Sequence, residues 1–182
     1  PVISYFDDEN EYLKAAICRD PMCAEDPIIR FFAAGEAENG EFNALALDDQ
    51  GRPIIAYQYH NDAAEPVQGA AMVLFCTDAT CSDVTNVSVD DERGAALGSH
   101  ISMALTSEGH PVVAYWDNQG RQVKVALCRD AMCNRKTMRR VRFDWGLQHI
   151  SVGLDGEDHV YFSAHEVRPN KRRLVLYHPR FP

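Results

Sequence analysis

Two histidines, His100 and His149, occupy matching positions of a repeated pattern, each directly before an Ile-Ser pair and a short apolar run. Phe42 takes the corresponding position in an earlier copy of the pattern. Imidazoles at the starts of neighbouring strands can hold a metal ion or contact an anionic ligand. The spacing therefore predicts a possible ligand site formed by Phe42, His100 and His149. The alternative is that both imidazoles bond only to nearby backbone groups.

The cysteines form three copies of a C-x4-C motif, with none left over. The pairs are Cys18 and Cys23, Cys76 and Cys81, and Cys128 and Cys133. Structural zinc sites more often use C-x2-C knuckles, and haem attachment needs C-x-x-C-H. The spacing therefore favours a local disulfide within each motif, and such a short loop is worth about 2–3 kcal/mol at most. Zinc ligation and free thiols are the alternatives.

An aspartate follows the first cysteine of each motif by two residues, at Asp20, Asp78 and Asp130. This position allows its carboxylate to accept hydrogen bonds from backbone amides in an Asx-turn. Paired cysteines also indicate an oxidising compartment, so we expect a secreted or cell-surface protein. A chain that starts with Pro1 directly on a strand is expected to be a mature or trimmed product.

No motif of a catalytic nucleophile, metalloprotease or phosphate-binding loop is present, so no catalytic residue or metal ligand is assigned. The acidic turn residues are expected to act as turn formers; they are Asp7, Asp8, Asp48, Asp49, Asp117 and Asp155. No cofactor is predicted. Calcium at the acidic turn 7–10 is the remaining option, although that turn lacks the ligand ladder of an EF-hand loop.

Charge is distributed unevenly along the 182 residues. The formal net charge is −9, which argues against general binding to nucleic acid. Residues 1–133 carry a balance of −14, whereas residues 134–182 carry +5. The basic part is a possible interaction patch for an acidic polysaccharide or for the acidic part of a second copy. Its members are Arg135, Lys136, Arg139, Arg140, Arg142, Lys171, Arg172 and Arg173. Ordinary solvated strand edges are the alternative.

The elements that would position these residues also repeat. The phrases PVISY, PIIAY and PVVAY begin at Pro1, Pro53 and Pro111, which gives periods of 52 and 58 residues. Each repeat contains short β-type runs separated by turn signals, in the order expected for four antiparallel strands. Such a period predicts an all-β fold, a β-propeller of four-stranded blades in one domain, 1–182. The approximate repeats are 1–42, 43–100, 101–148 and 149–182.

The segments ALALDDQGRPIIAY (44–57) and ALTSEGHPVVAYW (104–116) resemble the SLALDxxGxPxIxYYD repeats of secreted microbial β-propellers. The resemblance covers residues 1 to about 177. It implies the propeller fold, and it implies no particular activity because such propellers serve as lectins, enzymes and scaffolds. The GRP and GHP turns are also similar to the Asp-box of sialidase-type propellers. The Ser and Trp of that box are missing and Ser107 replaces its aspartate, so sialidase activity is not implied.

Strand counting predicts 14 strands, or about 3.5 to 4 blades, with an incomplete first and last blade. Three explanations are open: closure of one chain as a four-bladed ring, completion of blades between chains, or a fragment of a larger ring. Opposite charge at the two ends favours association of chains.

The sequence therefore predicts an extracellular structural or adhesive propeller that self-assembles end to end, with a filament as one form of the assembly, and it favours a non-enzymatic role. A carbohydrate-binding propeller and a fragment of a glycoside hydrolase are the alternatives. The partner expected first is the protein itself and the second is a polysaccharide, with no nucleic acid and no membrane span. Asn86 begins a possible N-glycosylation sequon.

Overall fold

The computed structural model describes residues 1–32, 38–61, 68–90 and 98–178, and the side chains at 38 and 39 are not described. Within these ranges the chain forms 14 β-strands in four antiparallel sheets. The all-β prediction and the count of 14 strands are thus confirmed. No helix in the described ranges is long and apolar enough to cross a membrane.

Each sheet is built from strands that follow one another in the chain. Sheet 1 contains β1 (Val2–Asp7), β2 (Tyr12–Ile17) and β3 (Ile28–Phe32). Sheet 2 contains β4 (Glu38–Leu47), β5 (Pro53–Asn61), β6 (Gln68–Cys76) and β7 (Val84–Asp90). Sheet 3 contains β8 (Ser99–Leu105), β9 (Pro111–Asp117), β10 (Gln122–Cys128) and β11 (Lys136–Arg142). Sheet 4 contains β12 (Gly146–Leu154), β13 (Val160–Arg168) and β14 (Lys171–Tyr177).

Turn chemistry fixes where the first strand of a sheet returns into the second. In sheet 2 the Asp48 carboxylate accepts hydrogen bonds from the backbone amides of Gln50 (3.0 Å) and Arg52 (2.8 Å). Gly51 has a φ of 73°, a left-handed conformation that glycine adopts without steric cost. The register that follows pairs Leu47 with Pro53.

The cysteine motifs close the connections from β2, β6 and β10 to the next strand of the same sheet. All three disulfides join cysteines five residues apart, as predicted: Cys18–Cys23, Cys76–Cys81 and Cys128–Cys133. The aspartates of these loops accept amide hydrogen bonds two residues on, from Met22 to Asp20 (2.8 Å), Thr80 to Asp78 (2.7 Å) and Met132 to Asp130 (3.2 Å). The Asx-turn prediction is therefore confirmed.

Consecutive sheets pack face to face, which gives three separate apolar cores. Leu13 of sheet 1 packs with Ile55 of sheet 2 in the first core. Sheets 2 and 3 share the second, and sheets 3 and 4 share the third, which contains Val125 and Phe162. The first strands contact one another in the order β1, β4, β8, β12. Among the described residues, sheets 2 and 3 are therefore covered on both faces, while sheets 1 and 4 are each covered on one.

Candidate ligand site at the strand bulges

The first strands of sheets 2, 3 and 4 each contain an irregularity near their beginning. The register shifts between Asn39 and Asn43, between Ser99 and Ser102, and between Gln148 and Ser151. His100 and His149 both have a φ of 52° within these shifts. A bulge of this kind re-aims a side chain, and a non-glycine residue in the left-handed region is uncommon. The same local device therefore orients both histidines.

These bulges bring the predicted site residues together in one row. The ring centroids of Phe42 and His100 are 4.6 Å apart, and those of His100 and His149 are 5.5 Å apart. The row continues to His165 on β13, whose ring stacks on that of His149 at 6.4 Å. His165 was not selected from the sequence, because only the pairing of Gln148 with His165 places it there.

The charge state of His100 follows from its position in the row. Partial burial lowers its pKa because the imidazolium loses hydration, and the nearby His149 lowers it further. His100 is therefore favoured as a neutral ring at pH 7, which suits stacking and hydrogen bonding better than attraction of an anion.

A cleft of about 430 Å³ lies beside this row. Residues from sheets 2, 3 and 4 form its walls: Glu41, Phe42, Gln58, Ser99, His100, Trp116, Asn118, Gly146, Leu147, Gln148 and Val167. Aromatic rings, amide side chains and a hydroxyl thus face the same space. This combination suits a polyhydroxylated ligand, because rings cover C–H faces and amides bond to hydroxyls.

Gln58 is the most informative residue of this cleft. Its side chain is 7% exposed, and its Oε1 has no hydrogen-bond partner among the described residues. An amide oxygen buried without a partner costs about 1–3 kcal/mol. The backbone at Gly98, with a φ of 86°, approaches Gln58 closely, so a Cβ there would lie 3.5 Å from the Gln58 Cα. No repeated residue type marks Gln58 in the sequence.

A larger cleft of about 730 Å³ lies at the opposite end of the strands, between the turns of sheets 2 and 3. Asp48, one of its lining residues, already bonds within its own turn and to the Arg52 Nε (2.6 Å). Burial raises the pKa of Asp48, but these hydrogen bonds outweigh it and leave the pKa lowered. We favour the smaller cleft as the ligand site because it contains the unpartnered Gln58 oxygen.

Other turn acids are likewise engaged within their turns. Asp155 accepts amide hydrogen bonds from Glu157 and His159, both at 2.9 Å, and the His159 bond is the main reason that its pKa falls to about 2. Asp7 pairs with Lys14 and bonds the Asn10 amide Nδ2, and its pKa is also lowered to about 2, chiefly by Lys14. In the described ranges no group of three or more His, Cys, Asp or Glu side chains could hold a metal ion.

The predicted basic patch is divided between two sheets. Its first part lies on β11 and at the residue before it, and its second part lies on β14. The Lys136 Nζ donates to the Ser88 carbonyl oxygen at 2.8 Å, and the Arg173 guanidinium pairs with Glu166. The Arg135 side chain is 78% exposed. Lys171 and Arg172 of this patch are also exposed on β14.

Asn86 lies exposed on β7, the outer strand of sheet 2. Its Oδ1 accepts a hydrogen bond from the Tyr57 hydroxyl at 3.1 Å. Burial raises the pKa of Tyr57 to about 12, so this phenol remains a donor. Glycosylation of Asn86 stays a prediction.

Comparison with known protein-family models gives no match for this chain, and comparison with curated proteins gives none. Among solved structures, an endo-arabinase from Bacteroides thetaiotaomicron VPI-5482 is similar with a TM-score of 0.56 and 10% identity, over 98% of this chain and 74% of that chain. An endo-1,4-beta-xylanase from the same strain gives a TM-score of 0.47 and 13% identity, over 96% and 69%. The arabinase similarity concerns the fold alone.

Proposed function

We propose that this chain is an extracellular β-propeller that binds a neutral glycan in the cleft beside the histidine row. Its four sheets would be the blades, because consecutive sheets pack face to face and their first strands follow one another in contact. The three local disulfides support an oxidising, extracellular location.

The observation that carries this proposal is the unpartnered Oε1 of Gln58 at the wall of a cleft with aromatic lining. This oxygen is itself buried in the unliganded protein. On binding, a rotation of the Gln58 amide would bring it to a sugar hydroxyl that donates to it, which would remove its desolvation cost. The Phe42 and His100 rings, 4.6 Å apart, would cover the apolar face of a pyranose or furanose. Asn118 and Gln148 would bond further hydroxyls at the rim.

Binding without turnover is part of the proposal. Glycosidases use two carboxylates about 5–9.5 Å apart across the scissile bond. Among the described residues that line this cleft, Glu41 is the one carboxylate. The hydrolase alternative, raised by the sequence and by the name of the similar arabinase, predicts release of reducing ends from arabinan, which a colorimetric assay would detect.

The test is calorimetric titration of the whole protein with oligosaccharides derived from arabinan, xylan and cellulose. In the Gln58→Met variant we expect unfolding stability to be retained or increased, because an unsatisfied amide is removed. Affinity for the bound oligosaccharide should fall about tenfold, the loss of about 1.4 kcal/mol expected for one hydrogen bond.

Gln122→Met is the matched control, since Gln122 is also 7% exposed but donates from Nε2 to Asp117 at 2.6 Å. It should lose stability and keep its affinity. Unchanged affinity in Gln58→Met, or no binding to any of the oligosaccharides, would contradict the proposal.

A structural role through self-association is the second candidate, as expected from the sequence. Sheets 1 and 4 each present an open face with exposed apolar side chains. Ile3 and Phe31 of sheet 1 are 53% and 61% exposed, and Leu174 and Leu176 of sheet 4 are 77% and 75% exposed. Side chains of this size favour burial against a partner. Light scattering at increasing protein concentration tests this role, and a constant monomer mass would exclude it.

A further inference from the structure

The open face of sheet 4 corresponds to a face that is covered in sheet 3. The strand registers pair Leu105 with Pro111 in sheet 3 and Leu154 with Val160 in sheet 4. Counting from these pairs, Leu174 and Leu176 occupy the positions of Val123 and Val125. Both valines are fully buried against sheet 4. Sheet 4 thus presents the same apolar positions with nothing packed on them among the described residues.

Sheet 1 presents the complementary surface. By the same count, Ile3 occupies the position of Val113, and Ala16 that of Ala126. In sheet 3 these two positions are fully buried against sheet 2. In sheet 1 no described residue packs on this face, and Ile3 is 53% exposed. The open faces of sheets 4 and 1 are therefore the two halves of the packing that joins each internal pair of sheets.

Charge at the hairpins matches this pairing. The hairpin between β1 and β2 carries the exposed acids Asp8, Glu9 and Glu11. The hairpin between β13 and β14 joins the equivalent strands of sheet 4 and leads into the exposed Lys171 and Arg172. Equivalent hairpins lie at the same end of their sheets. Packing sheet 4 on sheet 1 in the internal manner would place the acidic hairpin beside the basic one.

We infer that the open face of sheet 4 binds the open face of sheet 1 in a second copy of this chain, head to tail. The contact continues the packing of sheets 1 to 4 from one copy to the next. It rests on the self-associating role proposed above and is independent of glycan binding. Its charged rim would be screened by salt, since the Debye length falls to about 3 Å at 1 M.

The experiment measures solution mass by light scattering after gel filtration, in low and high salt, with electron microscopy of the same samples. The wild type should form species larger than its 20.4 kDa monomer in low salt. The double variant Glu9→Lys with Glu11→Lys should raise the protein concentration needed for assembly at least tenfold. Lys171→Glu with Arg172→Glu should do the same, and all four changes in one chain should restore assembly.

Two further double variants distinguish loss of the contact surface from a general effect on folding or on net charge. Leu174→Thr with Leu176→Thr should abolish assembly and leave the unfolding midpoint unchanged, since both side chains are already exposed. Glu108→Lys with Glu157→Lys makes the same charge change at 76% and 84% exposed sites in the turns at the opposite end, and should leave assembly intact.

The outcomes are distinguishable. Assemblies that ignore both the hairpin and the leucine variants would overturn the head-to-tail contact and leave a self-associating role standing. A monomer under all conditions would overturn both. A monomer in which hydrogen exchange of β14 is protected by contact with its own sheet 1 would also overturn the inference, because the ring would then close within one chain.

Discussion

The buried polar side chains of this protein are of two kinds: those whose polar atoms have a hydrogen-bond or ion-pair partner, and those with a polar atom that has none among the described residues. Lys124, Asp117, Gln122 and Glu166 are each at most 7% exposed and have hydrogen-bond or ion-pair partners. Gln58 is equally buried, but its Oε1 has no partner among the described residues. Satisfied groups of this kind maintain a fold, whereas an unsatisfied one at a cleft is a reason to look for a ligand.

Lys124 offers a direct test of the first kind. Its fully buried ammonium donates to Asp90 of sheet 2 at 2.7 Å and lies 3.5 Å from the Asp117 carboxylate. Replacement by methionine leaves these carboxylates without their cation. We expect Lys124→Met to lower the free energy of unfolding by about 3–5 kcal/mol, measured by urea denaturation. Methionine fits such a site, since Met72 holds the corresponding position in sheet 2.

Lys14→Met is the matched control, because Lys14 holds the same position in sheet 1 and pairs with Asp7. Its side chain is 14% exposed, so water compensates part of the lost interaction and the effect should be smaller. Equal losses in the two variants would contradict the view that the buried contact between sheets 2 and 3 depends on Lys124.

Residue-level reasoning from the sequence recovers only part of the site. Phe42, His100 and His149 could be selected because they repeat at one position. His165 and Gln58 lie on second strands, at a repeat position that Trp116 shares, and the residue type at that position is not repeated. Their approach to the site depends on strand register and on the packing of one sheet against the next, which sequence periodicity does not specify.

At the scale of elements, the bulges decide where the ligand site lies. Repeated β-type runs and turn residues were sufficient to predict 14 strands, because periodicity and turn chemistry are local properties. The register shifts were not predictable in the same way. The left-handed backbone of the bulge turns the side chains of His100 and His149 in a new direction. The sequence alone shows these two positions only as the start of a strand.

His149 tests the bulge itself. A left-handed conformation costs an L-residue about 1–2 kcal/mol, and β-branched residues adopt it least readily. Because the His149 side chain is exposed, we expect His149→Gly to change stability by less than about 0.5 kcal/mol. His149→Val should lose more than about 1 kcal/mol. Chemical denaturation measures both.

Gln148→Val is the control for this pair, since Gln148 is also exposed but pairs with His165 in the regular register. Valine there should be tolerated, because it suits extended backbone. If valine were equally well tolerated at 148 and 149, the bulge would not be the feature that orients His149.

At the scale of the whole molecule, the two ends of the strands carry different clefts. The smaller cleft lies beside the histidine row, and the larger one lies among the turns that connect first and second strands. Histidines mark both ends: His100, His149 and His165 form the row, while His110 and His159 belong to the turns. A spectroscopic signal from histidine therefore reports which end binds a ligand.

The most direct measurement is nuclear magnetic resonance of the imidazole signals during titration with the oligosaccharide that binds in calorimetry. Binding in the proposed cleft should shift the signals of His100 and His149, with a smaller change at His165 and none at His110 or His159. Shifts confined to His110 and His159, or no shift at saturating oligosaccharide, would contradict glycan binding at the strand bulges.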